Sequence, residues 1–281
     1  MIISASRRTD IPAFYSDWLV NRLSAGHCLV RNPFHPAQIK RVSLLPEDVD
    51  GIVLWTKNAA PLLPKIAALD GFSYYFQYSI TPYHTDIETG LPDKKQAVIP
   101  AFLELASVIG PKRMIWRYDP IIITPRYDYD YHVRAFTKLC GLLAGSCEKC
   151  VISFAIAYKS VAKNLAKIGH VELDVEEKLR LAQALLHIAK EHGITLCACC
   201  ELPGLYKLGV RPVSCVDANL FGVNAPRDKN QREGCNCAVS VDIGAYNSCM
   251  NGCLYCYANH SQAKVRQNFA GHCAEAELLV G

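Results

Sequence analysis

The sequence lacks a long apolar run and a strong excess of either charge. No window approaches the roughly 20 apolar residues that a membrane-spanning helix needs, so we expect no membrane partner. The 30 basic and 26 acidic residues leave a net charge of +4, which is too small to predict a nucleic-acid partner by itself. With 51% hydrophobic and 20% charged residues, the composition is that of an ordinary globular protein.

Nucleotide-binding and export motifs are also missing. No Gly-x-Gly-x-x-Gly opens a predicted helix and no Gly-Lys-Ser/Thr loop is present, which argues against the common phosphate-binding loops. The run Met1–Ser6 is too short for a secretory leader. Arg7 and Arg8 are followed by Asp10 and Asp17 rather than by an apolar stretch, which argues against twin-arginine export. We therefore expect a cytoplasmic protein.

Cysteine, by contrast, is abundant. The chain has 14 cysteines. In a reducing cytoplasm, thiols bind metal or stay free rather than forming disulfides. The cysteines are therefore candidate metal ligands.

Apolar segments rich in β-branched and aromatic residues alternate with amphipathic ones. Predicted strands are Ile2–Ala5, Ile52–Thr56, Tyr74–Ile80, Arg113–Arg117, Val151–Ile156, Ile194–Cys199 and Val239–Ile243. Predicted helices are Tyr15–Ser24, Pro61–Leu69, Gln96–Ile109, Tyr129–Leu143 and Val175–His192, the last with a capping box of Asp174 and Glu177. Residues 28–44 are expected to form a β-hairpin.

This alternation predicts an α/β fold with a parallel sheet covered by helices. Its repetition predicts a (β/α) barrel, complete or partial. We expect residues 1–200 to form the barrel core. Residues 201–281 are expected to add a cysteine-rich irregular cap, the final strand and a cluster-binding loop, in one compact domain.

The most specific motif is the loop Cys249-Met-Asn-Gly-Cys253-Leu-Tyr-Cys256. Its three thiolates suit three corners of a [4Fe–4S] cluster and leave one iron open to a small molecule. The C-x3-C-x2-C spacing, with Tyr255 before the last cysteine, resembles the loop of radical S-adenosylmethionine (SAM) enzymes. His260 follows at the spacing of a Cys3His zinc site, which is the alternative.

A second group of cysteines precedes this loop. We predict that four of them bind a second, fully ligated [4Fe–4S] cluster, or zinc: Cys200, Cys215, Cys235 and Cys237. Cys197 and Cys199 are expected to share one face of a strand and to pack as small hydrophobic side chains. The remaining five, Cys28, Cys140, Cys147, Cys150 and Cys273, are expected to bind nothing.

Polar residues follow several predicted strands, where a barrel places its active site. Predicted catalytic residues are Arg7, Arg8, Asp10, Lys57, Arg117 and Asp119. Predicted cofactor-binding residues are Ser6, Thr9, Thr56, Asn58, Gln77, Ser153 and Tyr255. Cys200 and Glu201 also follow a strand. A purely structural interpretation is the alternative, because Arg7 with Asp10 and Arg117 with Asp119 could form local ion pairs.

The chain resembles the domain-of-unknown-function family 1848 along nearly its whole length. The resemblance lies in Ser4-Ala-Ser-Arg-Arg-Thr-Asp-Ile-Pro12, Leu29-Val-Arg-Asn-Pro-Phe34, Trp55-Thr-Lys-Asn58, Trp116-Arg-Tyr-Asp-Pro120 and Asp242-Ile-Gly-Ala-Tyr246 leading into the cysteine loop. The resemblance implies a cluster like that of radical SAM enzymes and assigns no reaction.

The position of the cysteine loop departs from that of radical SAM enzymes. Their cysteine loop usually follows the first strand, whereas here it lies near the C-terminus. We therefore expect a circularly permuted barrel in which Val239–Ile243 precedes Ile2–Ala5. No Gly-Gly-Glu follows a strand, although that tripeptide commonly holds the methionyl amine of SAM.

The leading hypothesis is a radical SAM-type oxidoreductase, lyase or transferase that reductively cleaves SAM and abstracts hydrogen from a small or anionic substrate. It would take electrons from flavodoxin or ferredoxin. The alternative is a non-catalytic barrel stabilised by zinc or iron–sulfur that acts as a binding module. Its nucleic-acid partner would contact a modest basic set: Arg31, Lys40, Arg41, Lys264 and Arg266.

Overall fold

The computed structural model describes residues 1–200 and 202–281, which form a mixed α/β structure on a large parallel sheet. The strands are β1 Ile2–Ala5, β2 His27–Arg31, β3 Ile39–Ser43, β4 Gly51–Thr56, β5 Tyr74–Ser79, β6 Met114–Ile121, β7 Lys149–Phe154, β8 Thr195–Ala198, β9 Arg211–Pro212 and β10 Val241–Asp242. Eight of them form the sheet in the order β10-β1-β4-β5-β6-β7-β8-β9. The other two, β2 and β3, form the predicted antiparallel hairpin.

Helices connect the strands. The α-helices are α1 Ile11–Phe14, α2 Ser16–Ser24, α3 Ile99–Ile109, α4 Tyr129–Leu143, α5 Ala162–Lys167, α6 Val175–Glu191, α7 Pro203–Leu208 and α8 Gln262–Ala270. Leu63–Leu69 and Pro111–Arg113 are 3-10 turns, as is Ala218–Phe221, and a π turn at Lys94–Val98 leads into α3. The capping box of Asp174 and Glu177 opens α6 as predicted.

The two faces of the sheet have different coverings. One face packs against the helices, and large aromatic side chains such as Trp18, Phe102 and Trp116 are fully buried there. The other face is covered by the irregular segment between β9 and β10. Val53 and Tyr75 meet Val216 in this second apolar cluster.

The large sheet is open between its two edge strands. Within residues 1–200 and 202–281 no strand ladder joins β9 to β10. The sequence predicted a complete or partial barrel, and the structure does not show a closed one. Each of these strands has only two residues, which is too short to build a ladder across the gap. A single backbone hydrogen bond, from the Ala238 amide to the Val216 carbonyl oxygen (2.9 Å), links the segments beside them.

The joint between β10 and β1 depends on the Asp242 carboxylate. β10 lies parallel to β1, with Ile3 beside Val241 and Ser4 beside Asp242. The carboxylate accepts hydrogen bonds from the Ser4 and Ser6 hydroxyls and the Arg7 amide. It also pairs with the Arg8 guanidinium at 3.1 Å.

This joint demands glycine after β10. A Cβ atom on Gly244 would lie 2.2 Å from the Ser6 hydroxyl oxygen, so a larger residue would push the end of β1 away. The two chain segments are therefore fixed against each other at the point where the cysteine loop begins.

The chain has neither disulfides nor a membrane-spanning helix in the residues that the structure describes. None of the 14 cysteines, all of which fall inside the described ranges, forms a disulfide. In those same ranges no helix is long and apolar enough to cross a membrane.

Asp242→Asn should weaken this joint. The exchange removes the countercharge of Arg8 and replaces an acceptor by a donor, so we expect the free energy of unfolding to fall by about 2–4 kcal/mol. Urea denaturation measures this change. Asp130→Asn, on the exposed side of α4, is the matched control and should change the stability by less than about 0.5 kcal/mol. Equal stabilities of the two variants would contradict the assigned role of Asp242.

Candidate metal and cofactor site

A cavity of about 1100 Å3 opens where the parallel strands end. Side chains at or just beyond the carboxyl ends of six neighbouring strands, β1 and β4 to β8, line it: Arg7, Lys57, Ser79, Asp119, Ser153 and Cys199. The three cysteines of the C-x3-C-x2-C loop line the same cavity, as do Cys215, Cys235 and Cys237. The two cysteine groups therefore face a common space.

The cysteine loop is docked on the segment 87–90, which follows β5. Glu88 and Cys253 form a backbone bridge, and the Leu254 amide donates to the Ile87 carbonyl oxygen at 3.0 Å. A Cβ atom on Gly90 would lie 2.2 Å from the Met250 carbonyl oxygen, so this contact requires glycine. The loop is therefore held on both sides, by the end of β10 and by this segment.

Asp10 ties the loop to the sheet. Its buried carboxylate accepts from the Ala13 amide (3.1 Å), the Lys57 amide (2.7 Å) and the Asn251 side chain (2.9 Å). Thr56 also hydrogen-bonds to it. Burial raises the pKa of Asp10, so these hydrogen bonds are needed to hold its ionised form. The residue predicted as catalytic thus makes structural contacts.

Several predicted cofactor residues also use their polar atoms internally. Thr9 hydrogen-bonds to the Ala245 carbonyl oxygen and to the Ser248 hydroxyl. Asn58 accepts from the Ala60 amide and does not line the cavity. Together with Ser6 on Asp242, these residues hold the ends of β1 and β4 in place.

Lys57 belongs to a buried charge network that the sequence did not reveal. Its ammonium group donates to Glu88 at 2.8 Å, and Lys94 and the Tyr255 hydroxyl also contact this carboxylate. Thr81 donates to the same oxygen at 2.9 Å. Burial opposes the ionisation of Glu88, but the two lysines outweigh it and lower its pKa to about 2. The carboxylate is therefore ionised under all physiological conditions.

Lys57 is also close to the cysteine loop. Its ammonium group lies 5.5 Å from the centre of the Tyr255 ring. Burial disfavours the charged form of Lys57, but Glu88 more than compensates and raises its pKa. A fixed positive charge therefore stands beside the loop, and Tyr255 connects that charge to the C-x3-C-x2-C motif.

A second network fixes Arg117. Its guanidinium contacts the Asp119 carboxylate, the Gln77 amide oxygen (3.2 Å) and the Cys215 sulfur (3.1 Å). Ser153 donates to the other oxygen of Asp119. Arg117, Asp119 and Ser153 line the cavity, whereas Gln77 lies beneath it.

Arg7 is the predicted residue with spare hydrogen-bonding capacity. Its guanidinium lies 5.4 Å from the centre of the Trp55 ring, and one terminal nitrogen is buried without a hydrogen-bond partner among the described residues. Arg8, by contrast, is paired with Asp242. Arg7 is thus a cation with a free donor for an anionic group in the cavity.

The three loop cysteines are buried thiols whose raised pKa values keep them protonated unless a metal binds them. Burial raises the pKa of Cys249 to about 12 and raises those of Cys253 and Cys256 as well. In the described part of the chain, no three among these thiols and His260 bring their ligand atoms within 4.8 Å of one another. A single tetrahedral zinc ion would need that proximity, since it holds thiolates about 3.8 Å apart. A cluster that binds each thiolate through a different iron does not require that proximity.

The second cysteine group differs from the predicted set in one member. Cys199, Cys235 and Cys237 are buried with their sulfurs within 4.8 Å of one another, and the Cys215 thiol lies near enough to influence the pKa of both Cys199 and Cys237. The hydrogen bonds from Cys199 and Cys215 lower the pKa of Cys237.

Cys200, which the sequence suggested, turns away. β8 ends at Ala198, and Cys200 has a φ of 60° that directs its thiol to the Glu233 carbonyl oxygen at 2.7 Å. Cys199 therefore replaces it. Cys199 does pack in the second apolar cluster with Cys197, as strand alternation predicted, and its sulfur also lies within 4.8 Å of those of Cys235 and Cys237, which was not predicted. Glu201 lies outside the described residues.

The profile of a protein family described as a domain of unknown function (DUF1848) matches residues 2–258. The chain belongs to this family. The match confirms the resemblance drawn from the sequence motifs. No curated protein and no solved structure matches the chain.

Glu88 is the most informative residue that sequence reasoning missed in this DUF1848 protein. No local motif marks it, because two of its four charged or hydroxyl partners, Lys57 and Tyr255, are distant in sequence, and Thr81 and Lys94 lie six to seven residues away in no recognised pattern. Gly90 lies nearby, but the reason for a glycine there is its close contact with the Met250 carbonyl oxygen, which is remote in sequence and could not be predicted.

Glu88→Gln should destabilise the protein strongly. Two partly buried lysines would lose the buried carboxylate that is their common countercharge, so the free energy of unfolding should fall by about 3–5 kcal/mol. Urea denaturation measures this loss. Glu104→Gln changes an exposed glutamate on α3 and should stay within about 0.5 kcal/mol of the wild type. A Glu88 variant as stable as this control would show that the network does not hold the loop.

Proposed function

We propose that this protein is an iron–sulfur enzyme of the radical SAM type. The observation that carries the proposal is that the C-x3-C-x2-C thiols share one cavity wall with charged side chains at the ends of successive strands. Parallel α/β enzymes place their chemistry at this end of the sheet.

The strand order supports a permuted relationship to radical SAM barrels. β10, which leads into the cysteine loop, lies beside β1, and β4 to β8 follow in chain order. A chain that began at β10 would have its cysteine loop after the first strand, as radical SAM enzymes do. We infer that the sheet is a partial barrel of that type, cut between β10 and β1.

Cys249, Cys253 and Cys256 would hold a [4Fe–4S] cluster. With one iron left open, such a cluster supplies the electron that cleaves the sulfonium of bound SAM. Lys57 would place a fixed positive charge beside the cluster, and Glu88 would keep that lysine ionised and oriented. Tyr255, anchored through its hydroxyl on Glu88, would hold the last turn of the loop.

Ligand binding would fall mainly to Arg7. Its spare nitrogen suits a carboxylate or another anionic group of SAM or substrate, because a buried donor gains most from a charged acceptor. Arg117 and Asp119 would instead shape the wall, since each already satisfies the other. Electrons would come from an external donor such as flavodoxin or ferredoxin.

Cys253→Ala should abolish cluster binding and leave the fold intact. Anaerobically reconstituted wild-type protein should contain iron, and its reduced electron paramagnetic resonance spectrum should change when SAM is added. The variant should lose this signal, because two thiolates from the loop hold a cube poorly. Circular dichroism should show that the variant keeps its secondary structure.

Cys273→Ala is the matched control. This exposed cysteine contacts Glu275 and lies away from the cavity, so its removal should leave the signal and the effect of SAM unchanged. A wild-type protein that binds zinc but no iron, or whose reduced spectrum ignores SAM, would overturn the proposal.

A further inference from the structure

Four cysteines meet at the opening of the sheet, away from the C-x3-C-x2-C loop. Cys199 follows β8, Cys215 follows β9, and Cys235 and Cys237 precede β10. They therefore come from both edges of the gap that the sheet leaves between β9 and β10. The hydrogen bond between Ala238 and Val216 crosses the same gap.

The sheet beneath holds Cys215 firmly. Its carbonyl oxygen accepts from the Tyr75 hydroxyl and the Gln77 amide, both at 2.9 Å. Its sulfur accepts from the Arg117 guanidinium at 3.1 Å. The adjoining Val216 amide points at the Cys237 sulfur at 3.5 Å. Two of the sulfurs thus receive N–H groups, as metal-bound thiolates commonly do.

The distances between the sulfurs select the kind of metal site. The sulfurs of Cys199, Cys235 and Cys237 all lie within 4.8 Å of one another. Thiolates held about 2.3 Å from one tetrahedral ion lie about 3.8 Å apart, which this spacing allows. The Cys215 sulfur does not lie within 4.8 Å of all three, so it would have to move toward them to become the fourth ligand. Thiolates on a [4Fe–4S] cube are further apart, because each binds a different iron. The sulfurs of Cys199, Cys235 and Cys237 are therefore closer together than the second [4Fe–4S] cluster expected from the sequence would require.

The surrounding charge favours a thiolate-rich site. A divalent ion with four thiolates carries two negative charges, and two guanidinium groups stand nearby. Arg117 contacts Cys215 directly, and Arg7 interacts electrostatically with Cys215 and Cys237. Buried negative charge is tolerated where such cations offset it.

We propose that Cys199, Cys215, Cys235 and Cys237 bind a single tetrahedral zinc ion that joins the two open edges of the sheet. An all-thiolate tetrahedral site favours zinc among the common divalent ions. The ion would order the irregular segment between β9 and β10 and form part of the cavity wall. The site does not depend on the proposed enzyme activity, since none of its ligands belongs to the C-x3-C-x2-C loop.

The test compares metal content in four forms of the full chain, each purified anaerobically without chelator and analysed for zinc and iron. The wild type should hold one zinc ion per chain. Cys235→Ser should lose at least about nine-tenths of it, because three remaining thiolates leave the ion open to exchange. Cys200→Ser is the matched control and should keep its zinc, although Cys200 is next to a ligand in sequence. Cys253→Ala should keep zinc while it loses iron, which separates this site from the proposed cluster.

A measurement on the wild type covers the case in which Cys235→Ser fails to fold. Cobalt exchanged for zinc should bind one ion per chain and give the intense visible absorption of a tetrahedral thiolate site. Removal of zinc with a chelator should lower Tm by several degrees.

Four results would overturn the assignment. They are a folded wild type that binds neither zinc nor cobalt, a second four-iron cluster that Cys235→Ser abolishes, a single iron in place of zinc, and zinc that depends on Cys253 or Cys200. The third result would refute zinc itself, and the last would refute the ligand set.

Discussion

The carboxylate of Asp10 is the contact on which the candidate site depends. It begins α1 through Ala13, fixes the end of β4 through Lys57 and grips the cysteine loop through Asn251. Three segments that are distant in sequence are thereby held by one buried anion. Because burial alone would favour its neutral form, the anion and its donors are mutually dependent. The geometry of the cavity follows from that dependence.

The sequence predicted those parts of the fold that local patterns determine. The seven strand segments, the hairpin and the capping box of Asp174 all appear, because apolar periodicity and capping are properties of neighbouring residues. Strand β9 and the short helices α5 and α7 were missed, since elements of two to six residues carry too little pattern. The nine-residue helix α8 was missed as well; it buries only Val265, so it has little apolar periodicity. Glu88 was missed for a different reason: its role arises only when Lys57, Lys94 and Tyr255 come together.

The replacement of Cys200 by Cys199 in the candidate ligand set shows what strand alternation alone cannot predict. Alternation along a strand correctly places Cys197 in the apolar cluster beneath the cavity, and it would place Cys199 on the same face. Cys199 does lie on that face. It comes just after the end of β8, however, where the irregular segment brings Cys235 and Cys237 next to it. The role of a side chain at a strand end therefore depends on which loop residues pack against it, and local sequence patterns do not predict the path of a loop.

Most of the polar residues that line the cavity are already satisfied by the protein. Arg8 is paired with Asp242, Arg117 with Asp119, and Lys57 with Glu88. Any ligand that recruited these groups would have to break an existing buried pair, which costs several kcal/mol. Two buried side-chain atoms of cavity-lining residues have no hydrogen-bond partner in the described chain: a terminal nitrogen of Arg7 and the side-chain oxygen of Asn251. One is a cationic donor and the other a neutral acceptor within the cysteine loop. A ligand that presents an anionic group to the first and a hydrogen-bond donor to the second would bind without displacing anything, and an amino-acid moiety offers both.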